Sequence, residues 1–486
     1  MRHHRLYRVT QSTSTPIEPA SGHTLLRTMG LFSLVVYGVG DMIGSGIYGT
    51  VGKAAGQMGN AVWLAFVVSM VAAMLTGLSY ACIASRYPRA AGAAFVTHHA
   101  WHVAFLSYLI GLTVAASGLT SMATSTNVFA DNLQKFVPGP HWVMVLLFLG
   151  FLTYINFRGI RESMWTNILC TAVEVGGLLF VIIVGARYWG SVNYLETPHA
   201  VYDTAGALVS SGLEPGKLFA ASVLTFFAFV GFEDMLNISE DVKRPERTMP
   251  WGIVLALVVA TVLYIGVAVT AVSVVDYHTL REAKAPLTPI VQKAAPWLWG
   301  RAFDFITMFA VANTVLINYI MGSRLLYGMA RQGLVPAVLA RVHAKRRTPH
   351  VAIGTLLVIV IGLTISGTVT ELGAATGLLL LCCFAIVNGA LIVLKLRKGE
   401  PKGHFEVPII VPALGIVVNL TLVGAKLMEA LRISRAPADA AVPAGAIGLP
   451  APAIAGFLVL GISILYFIVR PKTITEETLA QVEETS

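Results

Sequence analysis

The stretch Ile43–Gly49 reads IGSGIYG and lies within the apolar run LFSLVVYGVGDMIGSGIYGTVG of residues 31–52. The run is long enough to cross a membrane as a helix, which takes about 20 apolar residues. It nevertheless contains six glycines and Asp41, and each interior glycine weakens a helix by about 0.8–1 kcal/mol relative to alanine. A charged residue at membrane depth is costly as well. The pattern predicts a membrane helix that is interrupted near residues 44–46.

The composition is that of an integral membrane protein. Charged residues make up 12% of the chain and apolar residues 56%, whereas a soluble domain carries about 25% charged residues. No polar linker divides the apolar segments, so we expect one membrane domain. The net charge of +9 does not indicate a nucleic-acid partner, because basic loops are what membrane insertion requires.

Cysteine and histidine give no sign of a metal or of a cofactor. The cysteines all lie inside apolar runs, and no pair has the spacing of a zinc site or of a secreted disulfide framework; they are residues 82, 170, 382 and 383. We expect inert thiols, no metal ion and no cofactor.

Reading for apolar segments of sufficient length predicts twelve membrane spans. Their bounds are 31–53, 61–84, 102–132, 141–157, 166–188, 218–238, 250–275, 301–331, 351–368, 371–395, 407–430 and 453–469. Lysine and arginine favour the cytoplasmic side of a membrane. With the amino terminus inside, 22 of the 34 basic residues fall on that side, which predicts that both termini are cytoplasmic.

A second interruption is expected in the sixth span. The segment LFAASVLTFFAFVGFEDMLNISEDV of residues 218–242 contains Gly231, followed by Glu233 and Asp234. This span comes five after the first interrupted span. Broken helices at corresponding positions of two halves are typical of inverted-repeat transporters, which bind their substrate between the breaks.

The chemistry of a broken helix indicates the kind of ligand. Unwinding frees N–H and C=O groups that hydrocarbon cannot satisfy. Free N–H groups at the start of a half-helix favour a carboxylate, and free carbonyls favour an ammonium group, so the two breaks together fit an α-amino acid. Close helix packing is an alternative use of the glycines, because Gly40 and Gly44 match a small-xxx-small pattern.

Four motifs in order resemble the amino acid–polyamine–organocation transporter superfamily. They are GVGDMIGSGIY (38–48), SRYPRAAGAAF (85–95), FFAFVGFED (226–234) and GSRLLYGMARQGLVP (322–336). The resemblance implies an all-α fold of twelve transmembrane helices, the leucine-transporter fold. Its implied parts are a cytoplasmic tail (1–29), a first five-helix repeat (30–188), an extracellular loop (189–217), an inverted second repeat (218–395), two additional helices (396–470) and a second tail (471–486).

The resemblance also implies a substrate site at the two breaks. The residues matching the family's pocket are Met42, Ile43, Gly44, Ser45 and Gly46 in the first span and Phe227, Ala228, Val230 and Gly231 in the sixth. The carbonyls of Met42, Phe227, Ala228 and Val230 are expected to face the ammonium group. Phe227 is the expected aromatic gate, and Glu233 matches a second gate position.

The chain departs from the family's pattern at three positions. Cys82 stands where a glutamate is common, and Asp41 replaces a small or neutral residue. Glu174 falls where a proton-coupled relative has a lysine, near the sodium site of the fold. Because burial disfavours the charged form of a carboxyl group, Glu174 is our candidate for carrying a proton, with Asn313 as its partner and Asp41 as the alternative carrier. For Asp234 we expect a solvated vestibule.

These observations predict a secondary transporter, not an enzyme, that takes up an α-amino acid together with a proton. The expected location is a bacterial-type cytoplasmic (inner) membrane, where its partners are the lipid bilayer, the amino acid and the proton. An exchanger, or a carrier of amines such as polyamines, is the alternative, with Asp41 as an added carboxylate. A membrane-embedded enzyme or receptor is more remote, since no HExxH or GxSxG motif occurs. Oligomeric state has no signal in the sequence.

Overall fold

The computed structural model describes residues 27–202, 208–283, 285–298, 302–366, 369–434 and 451–469. These residues are mostly helical, with one short antiparallel pair of strands, β1 (Val201–Tyr202) and β2 (Leu208–Ser210). The α-helices are α1 (Leu31–Met58), α2 (Val62–Arg86), α3 (Gly92–Trp101), α4 (Ala104–Gln134), α5 (His141–Arg158), α6 (Ile160–Gly185), α7 (Pro215–Phe226), α8 (Pro245–Val274), α9 (Tyr277–Glu282), α10 (Leu287–Ala294), α11 (Ala302–Arg331), α12 (His350–Ser366), α13 (Val369–Leu396), α14 (Ile410–Ser434) and α15 (Ala451–Val469).

The lengths and hydropathies of the helices indicate a multi-pass membrane protein. Within the described ranges, eight helical stretches are long and apolar enough to cross a membrane. Four shorter apolar stretches accompany them, namely Leu31–Gly44, His350–Ile365, Ile410–Ala425 and Ala453–Val469. The predicted all-α membrane class is confirmed, while the count of twelve spans stays a prediction.

The outer surface of the bundle is apolar, as contact with lipid requires. Large apolar side chains such as Phe32, Trp142, Ile183, Val262 and Phe467 are all more than three-fifths exposed. A soluble monomer rarely exposes so much contiguous apolar surface. Many of the apolar runs therefore serve two purposes, since one face of the helix packs inside the bundle and the other is exposed at the surface.

Helices distant in sequence form the interior of the bundle. α1 packs against α6, α8 and α11, α2 packs against α8, and α4 packs against α11. The short helix α3 was not predicted as a separate element. It ends where His102 adopts a positive φ of 54°, so the predicted third span begins at Ala104 instead.

The segment between α6 and α7 lies against the ends of neighbouring helices. Trp63 Nε1 donates a hydrogen bond to the carbonyl of Tyr194 (2.9 Å), and Asn60 Nδ2 donates one to Glu196 Oε2 (3.2 Å). The Tyr194 hydroxyl also lies 2.8 Å from Ser273 Oγ at the end of α8. The predicted loop of residues 189–217 is thus attached to the bundle at two places, namely the start of α2 and the end of α8.

Candidate functional site

Both predicted interruptions are present. In α1, Gly44 has non-helical angles (φ −24°, ψ −121°), which divide the helix into two halves. In the sixth span, α7 ends at Phe226 and is followed by the 3-10 helices Phe227–Phe229 and Phe232–Asp241. Gly231 between them has φ 129°, a conformation that favours glycine. The two breaks pack together, since a methyl group at Gly231 would lie 3.0 Å from Asp41 Cγ.

Tyr264 of α8 connects the breaks. Its hydroxyl oxygen lies 2.6 Å from the carbonyl oxygen of Met42 and 2.6 Å from that of Ala228. A hydroxyl has one hydrogen to donate, so it serves one carbonyl at a time. The two carbonyls expected to face the ammonium group of a substrate thus share a donor within the protein.

A cavity of about 250 Å³ lies beside the two breaks. This volume is just below the roughly 300–1,000 Å³ of pockets for small molecules. The cavity is lined by Asp41 and Met42 of α1; Val114, Ser117, Thr120, Ser121 and Thr124 of α4; Phe227, Val230, Gly231, Glu233 and Asp234 of the sixth span; Thr314 and Asn318 of α11; and Thr376, Gly377 and Leu380 of α13.

Several residues predicted from the sequence therefore meet at one cavity, and others do not reach it. Met42, Phe227, Val230 and Gly231 line it, whereas Ala228 is fully buried behind it. Ile43 is also fully buried and does not line the cavity. The surroundings of the Ser45 side chain and of Gly46 fall outside the described part of the structure.

The candidate gate residues lie at the wall of this cavity. The Phe227 ring packs against α13, where a side chain at Gly377 would collide with it. Glu233 Oε2 accepts a hydrogen bond of 2.8 Å from the N–H of Gly231. Glu233 thereby occupies a donor that the break would otherwise leave free for a ligand.

Asp41, Glu233 and Asp234 place three carboxyl groups at the cavity. Asp41 is 8% exposed, Glu233 3% and Asp234 7%. The expectation that Asp234 lies in a solvated vestibule is wrong, because the turn after Gly231 directs the start of the next helix into the bundle, next to Asp41. Glu233 is close enough to interact electrostatically with both aspartates.

Glu174 lies outside the cavity, in a polar network between α6 and α11. It is fully buried, and its Oε2 accepts a hydrogen bond from Asn313 Nδ2 (3.1 Å). Asn313 also donates to Thr171 Oγ1 (2.9 Å) and accepts from Asn167 Nδ2 (2.9 Å). Glu174 Oε1 has no hydrogen-bond partner among the described residues.

The Glu174 network lies directly behind the first half of α1. A side chain at Gly40 would collide with Thr171 and Asn313. Gly40 therefore allows α1 to approach the network closely, one helical turn before the break at Gly44. The small-xxx-small alternative and the broken-helix interpretation both describe this helix, because Gly40 serves packing and Gly44 forms the break.

Two ion pairs close the bundle on one side of the cavity. Arg324 Nε of α11 donates to Asp241 Oδ2 (3.0 Å), and the exposed fractions of the two side chains are 0% and 1%. Arg331 of the same helix pairs with Glu240 (3.3 Å), with about a fifth of each side chain exposed. The backbone N–H groups of residues 28 and 29 donate to the Asp241 carbonyl. The end of the sixth span is thus bound both to α11 and to the segment before α1.

Comparison with known proteins identifies the family. The family model described as amino acid permease matches residues 29–436. The chain belongs to this permease family, within the amino acid–polyamine–organocation superfamily. It is therefore a membrane transporter by family and not an enzyme, and the resemblance seen in the sequence is confirmed.

Relatives of this permease are named for different substrates. It is 26% identical to the branched-chain amino acid permease BcaP of Bacillus subtilis strain 168, over 82% of the chain and 88% of that protein. It is 31% identical to the vacuolar cationic amino acid transporter 4 of Arabidopsis thaliana, over 78% of the chain and 65% of that longer protein. It is 29% identical to the methylthioribose transporter of Bacillus subtilis strain 168, over 83% of the chain and 89% of the relative.

The sequence analysis did not predict some of the residues that line the permease's cavity. Ser117, Thr120, Ser121 and Thr124 line one wall, and their spacing of i, i+3, i+4 and i+7 places them on one face of a helix. That hydroxyl-bearing face is a signal that could have been found. Tyr264 carries no such signal, because only packing brings α8 to the breaks.

A glutamate from another part of the chain lies beside Cys82. Cys82 Sγ lies 3.6 Å from Glu406 Oε2, between α13 and α14. Glu406 also accepts hydrogen bonds from Arg86 (2.7 and 2.8 Å) and pairs with Lys395. Burial would raise the pKa of Glu406, but the hydrogen bonds from Arg86, Lys395 and the Gly403 N–H outweigh it and lower the pKa to about 2. Glu406 is therefore ionised at neutral pH.

Tyr264→Phe tests how far the breaks depend on the shared hydroxyl. Removing it leaves the buried carbonyls of Met42 and Ala228 without this donor, and an unsatisfied buried group costs about 1–3 kcal/mol. We expect a lower melting temperature of the purified permease and slower transport. Tyr108→Phe is the matched control, since the buried Tyr108 hydroxyl has no partner among the described residues. Equal melting temperatures for the two variants would contradict a role for Tyr264 in holding the breaks.

Proposed function

We propose that this permease is a secondary active transporter that takes up an α-amino acid by alternating access, coupled to proton entry. The observation that carries the proposal is the cavity of about 250 Å³ between two helix breaks. Backbone groups at such breaks recognise small polar ligands inside a membrane protein. The family supports the amino acid as substrate.

The proposed architecture is a leucine-transporter fold with twelve transmembrane helices. Two inverted five-helix repeats would comprise residues 30–188 and 218–395, joined by an extracellular loop (189–217) and followed by two additional helices (396–470). The breaks in α1 and after α7 fall in the first and sixth predicted spans, five spans apart, which supports this arrangement. The basic residues support cytoplasmic tails at 1–29 and 471–486, in an inner membrane.

The proposed proton site is Glu174. A buried ionised carboxylate with one hydrogen bond is unfavourable, and only Oε2 of Glu174 has a partner among the described residues. Protonation would remove the charge. Because the network of Glu174 and Asn313 packs against α1 at Gly40, a change of charge there can alter the position of the helix that carries half of the substrate site.

Alternating access requires that the cavity close on one side at a time. The buried Arg324–Asp241 pair is suited to close the side that the basic loops would place in the cytoplasm. Phe227 packs against α13 at the cavity wall, and we propose that it closes over the bound substrate. Glu233, which binds the Gly231 N–H, would set the conformation of the second break during this movement.

Exchange of amino acids or amines is the second candidate. Asp41 lines the cavity together with two further carboxyl groups, and this favours ligands that carry positive charge. Exchange needs no net proton movement, so it is separable by experiment from proton-coupled uptake.

Reconstitution into proteoliposomes tests the proposed function. With the outside more acidic than the lumen, one or more labelled amino acids should accumulate, and a protonophore should abolish the accumulation. Protein-free liposomes are the control. Accumulation that occurs only in liposomes preloaded with amino acid or amine would instead establish exchange. The absence of amino acid uptake and of amino acid exchange would overturn the proposal.

A further inference from the structure

One wall of the cavity consists of hydroxyl groups. Ser117, Thr120, Ser121 and Thr124 of α4 line it, and their helical spacing places them on one face. α4 packs against α11 and α13, whereas α1 packs against α6, α8 and α11. The α4 wall is therefore separate from the two helix breaks, and it is available to a part of the ligand that the backbone groups at the breaks do not bind.

The threonines at the cavity already use their hydroxyl hydrogens. Thr120 Oγ1 donates to the carbonyl of Ser117 (2.8 Å), and Thr124 Oγ1 donates to the carbonyl of Thr120 (2.9 Å). Thr314 of α11, which also lines the cavity, donates to the carbonyl of Ala310 (3.2 Å). A hydroxyl has one hydrogen to donate and two lone pairs that accept. These groups can therefore accept a hydrogen bond from a ligand without giving up one they already make.

Three further side chains at the cavity add acceptor atoms. Asn318 donates through Nδ2 to the carbonyl of Thr314 (2.9 Å), and its other polar atom, Oδ1, is an acceptor. Ser117 and Ser121 are half-buried, and their hydroxyls form no hydrogen bond within the described part of the chain. Excluding water from polar groups without replacing its hydrogen bonds is unfavourable. An apolar ligand side chain would leave this wall unsatisfied.

The size of the cavity limits the length of the ligand's side chain. Its volume of about 250 Å³ lies below the roughly 300–1,000 Å³ of pockets for small molecules. The α-carboxylate and α-ammonium groups of an amino acid at the breaks would take up part of it. Asp41, which also lines the cavity, has a buried Oδ2 without a hydrogen-bond partner among the described residues, which supports a polar ligand. The space that remains suits a short side chain.

We propose that the hydroxyl wall of α4, together with Asn318, selects an α-amino acid whose short, uncharged side chain donates a hydrogen bond, such as threonine, serine or asparagine. The proposal rests on the proposed transport function and adds the substrate class. None of the α4 residues at the cavity is charged. They can replace the water around a hydroxyl or an amide, whereas a buried ammonium group needs an opposite charge.

Binding of matched pairs of amino acids tests the proposal. Threonine and valine have nearly the same shape, as have asparagine and leucine, and only the first member of each pair has a polar side chain. Calorimetry on the purified permease should show the polar member binding about tenfold or more tightly, because a site built to hydrogen-bond a polar group discriminates against the analogue that lacks it. Valine binding as tightly as threonine would overturn the proposal. Lysine or arginine binding more tightly than threonine and asparagine would overturn it as well.

Two variants locate the effect on α4. Thr120→Val and Ser121→Ala should each reduce the ratio of threonine to valine affinity by about threefold or more, as expected for one lost hydrogen bond. Thr126→Val is the matched control, because Thr126 is a fully buried residue of α4 that donates to the carbonyl of Met122 (2.7 Å) and does not line the cavity. An unchanged ratio in both cavity variants would overturn the assignment.

Ser121→Ala keeps the test decisive if Thr120→Val does not fold. It removes no hydrogen bond within the described part of the chain, so loss of the threonine preference in this variant reports on the ligand and not on stability. An unchanged preference in a folded Ser121→Ala, with Thr120→Val unfolded, would overturn the assignment to α4.

The same measurements separate this proposal from the transport function on which it rests. Binding and uptake of amino acids without any preference for threonine over valine would overturn the inference and leave the transporter intact. An inability to bind or transport any amino acid would overturn the proposed function, and the inference with it.

Discussion

Replacing Glu174 by glutamine is expected to abolish the accumulation of substrate driven by a pH gradient while leaving substrate binding and exchange intact. The amide retains the shape of the side chain, and its oxygen can accept the hydrogen bond of Asn313, which lies 3.1 Å from Glu174 Oε2. It cannot release a proton, so the network between α6 and α11 stays in its neutral form. Uptake into proteoliposomes with an acidic exterior, compared with counterflow in the absence of a gradient, measures the two activities separately.

Glu162→Gln is the matched control for Glu174→Gln. Glu162 lies in the first turn of the same helix and is partly exposed, so its replacement should leave pH-driven uptake unchanged. If Glu174→Gln still concentrates substrate on a pH gradient alone, the proton is carried elsewhere, and Asp41 becomes the residue to replace. Dependence on a sodium gradient in place of a pH gradient would also contradict the role assigned to Glu174.

Arg324→Met is expected to lower the free energy of unfolding by about 3–5 kcal/mol, the range for removing one partner of a buried ion pair. The substitution leaves the Asp241 carboxylate, 1% exposed, without its cation. Arg324 Nη1 also donates to Ser323 Oγ (2.9 Å) and Asn156 Oδ1 (3.3 Å), and these bonds disappear as well. Chemical unfolding of the purified permease in detergent measures the loss.

Two further variants distinguish a buried charge from general damage to α11. Arg331→Met removes the partner of Glu240 from the same helix, but this pair keeps contact with water and should contribute about 1 kcal/mol or less. The double variant Arg324→Met/Asp241→Leu should recover much of the stability lost in Arg324→Met, because it leaves no unpaired buried charge. A loss in Arg331→Met as large as that in Arg324→Met would contradict this account.

The positions of the two helix breaks could be predicted because their causes are local. Glycines inside otherwise apolar runs, such as Gly44 and Gly231, weaken the helix there. Hydrocarbon cannot form hydrogen bonds with the backbone groups that are freed or with the acidic side chains nearby. The structure shows non-helical backbone at Gly44 and a left-handed-region φ at Gly231. That the chain is an integral membrane protein could be predicted in the same way, because the small number of charged residues and the length of the apolar runs can be read directly from the sequence.

The environment of each polar group could not be predicted in this way. Asp234 was expected in a solvated vestibule, yet it is 7% exposed at the cavity. The neighbours of a residue after a break depend on the angles at Gly231 and on the helices that pack around it. The same reason explains why Glu406, 324 residues from Cys82 in the chain, was not recognised as the carboxylate beside it.

The sequence by itself determined that the chain spans the membrane several times, that it belongs to a transporter family and that two helices are interrupted, because these properties follow from the residue types within single segments. Only the tertiary structure decided that Tyr264 joins the two breaks across 222 residues of chain and that Arg324 neutralises Asp241 across 83. It also decided that three carboxyl groups share one cavity wall. Such contacts depend on how whole helices pack, and the large energies of buried charges and unsatisfied carbonyls act only once packing has excluded water.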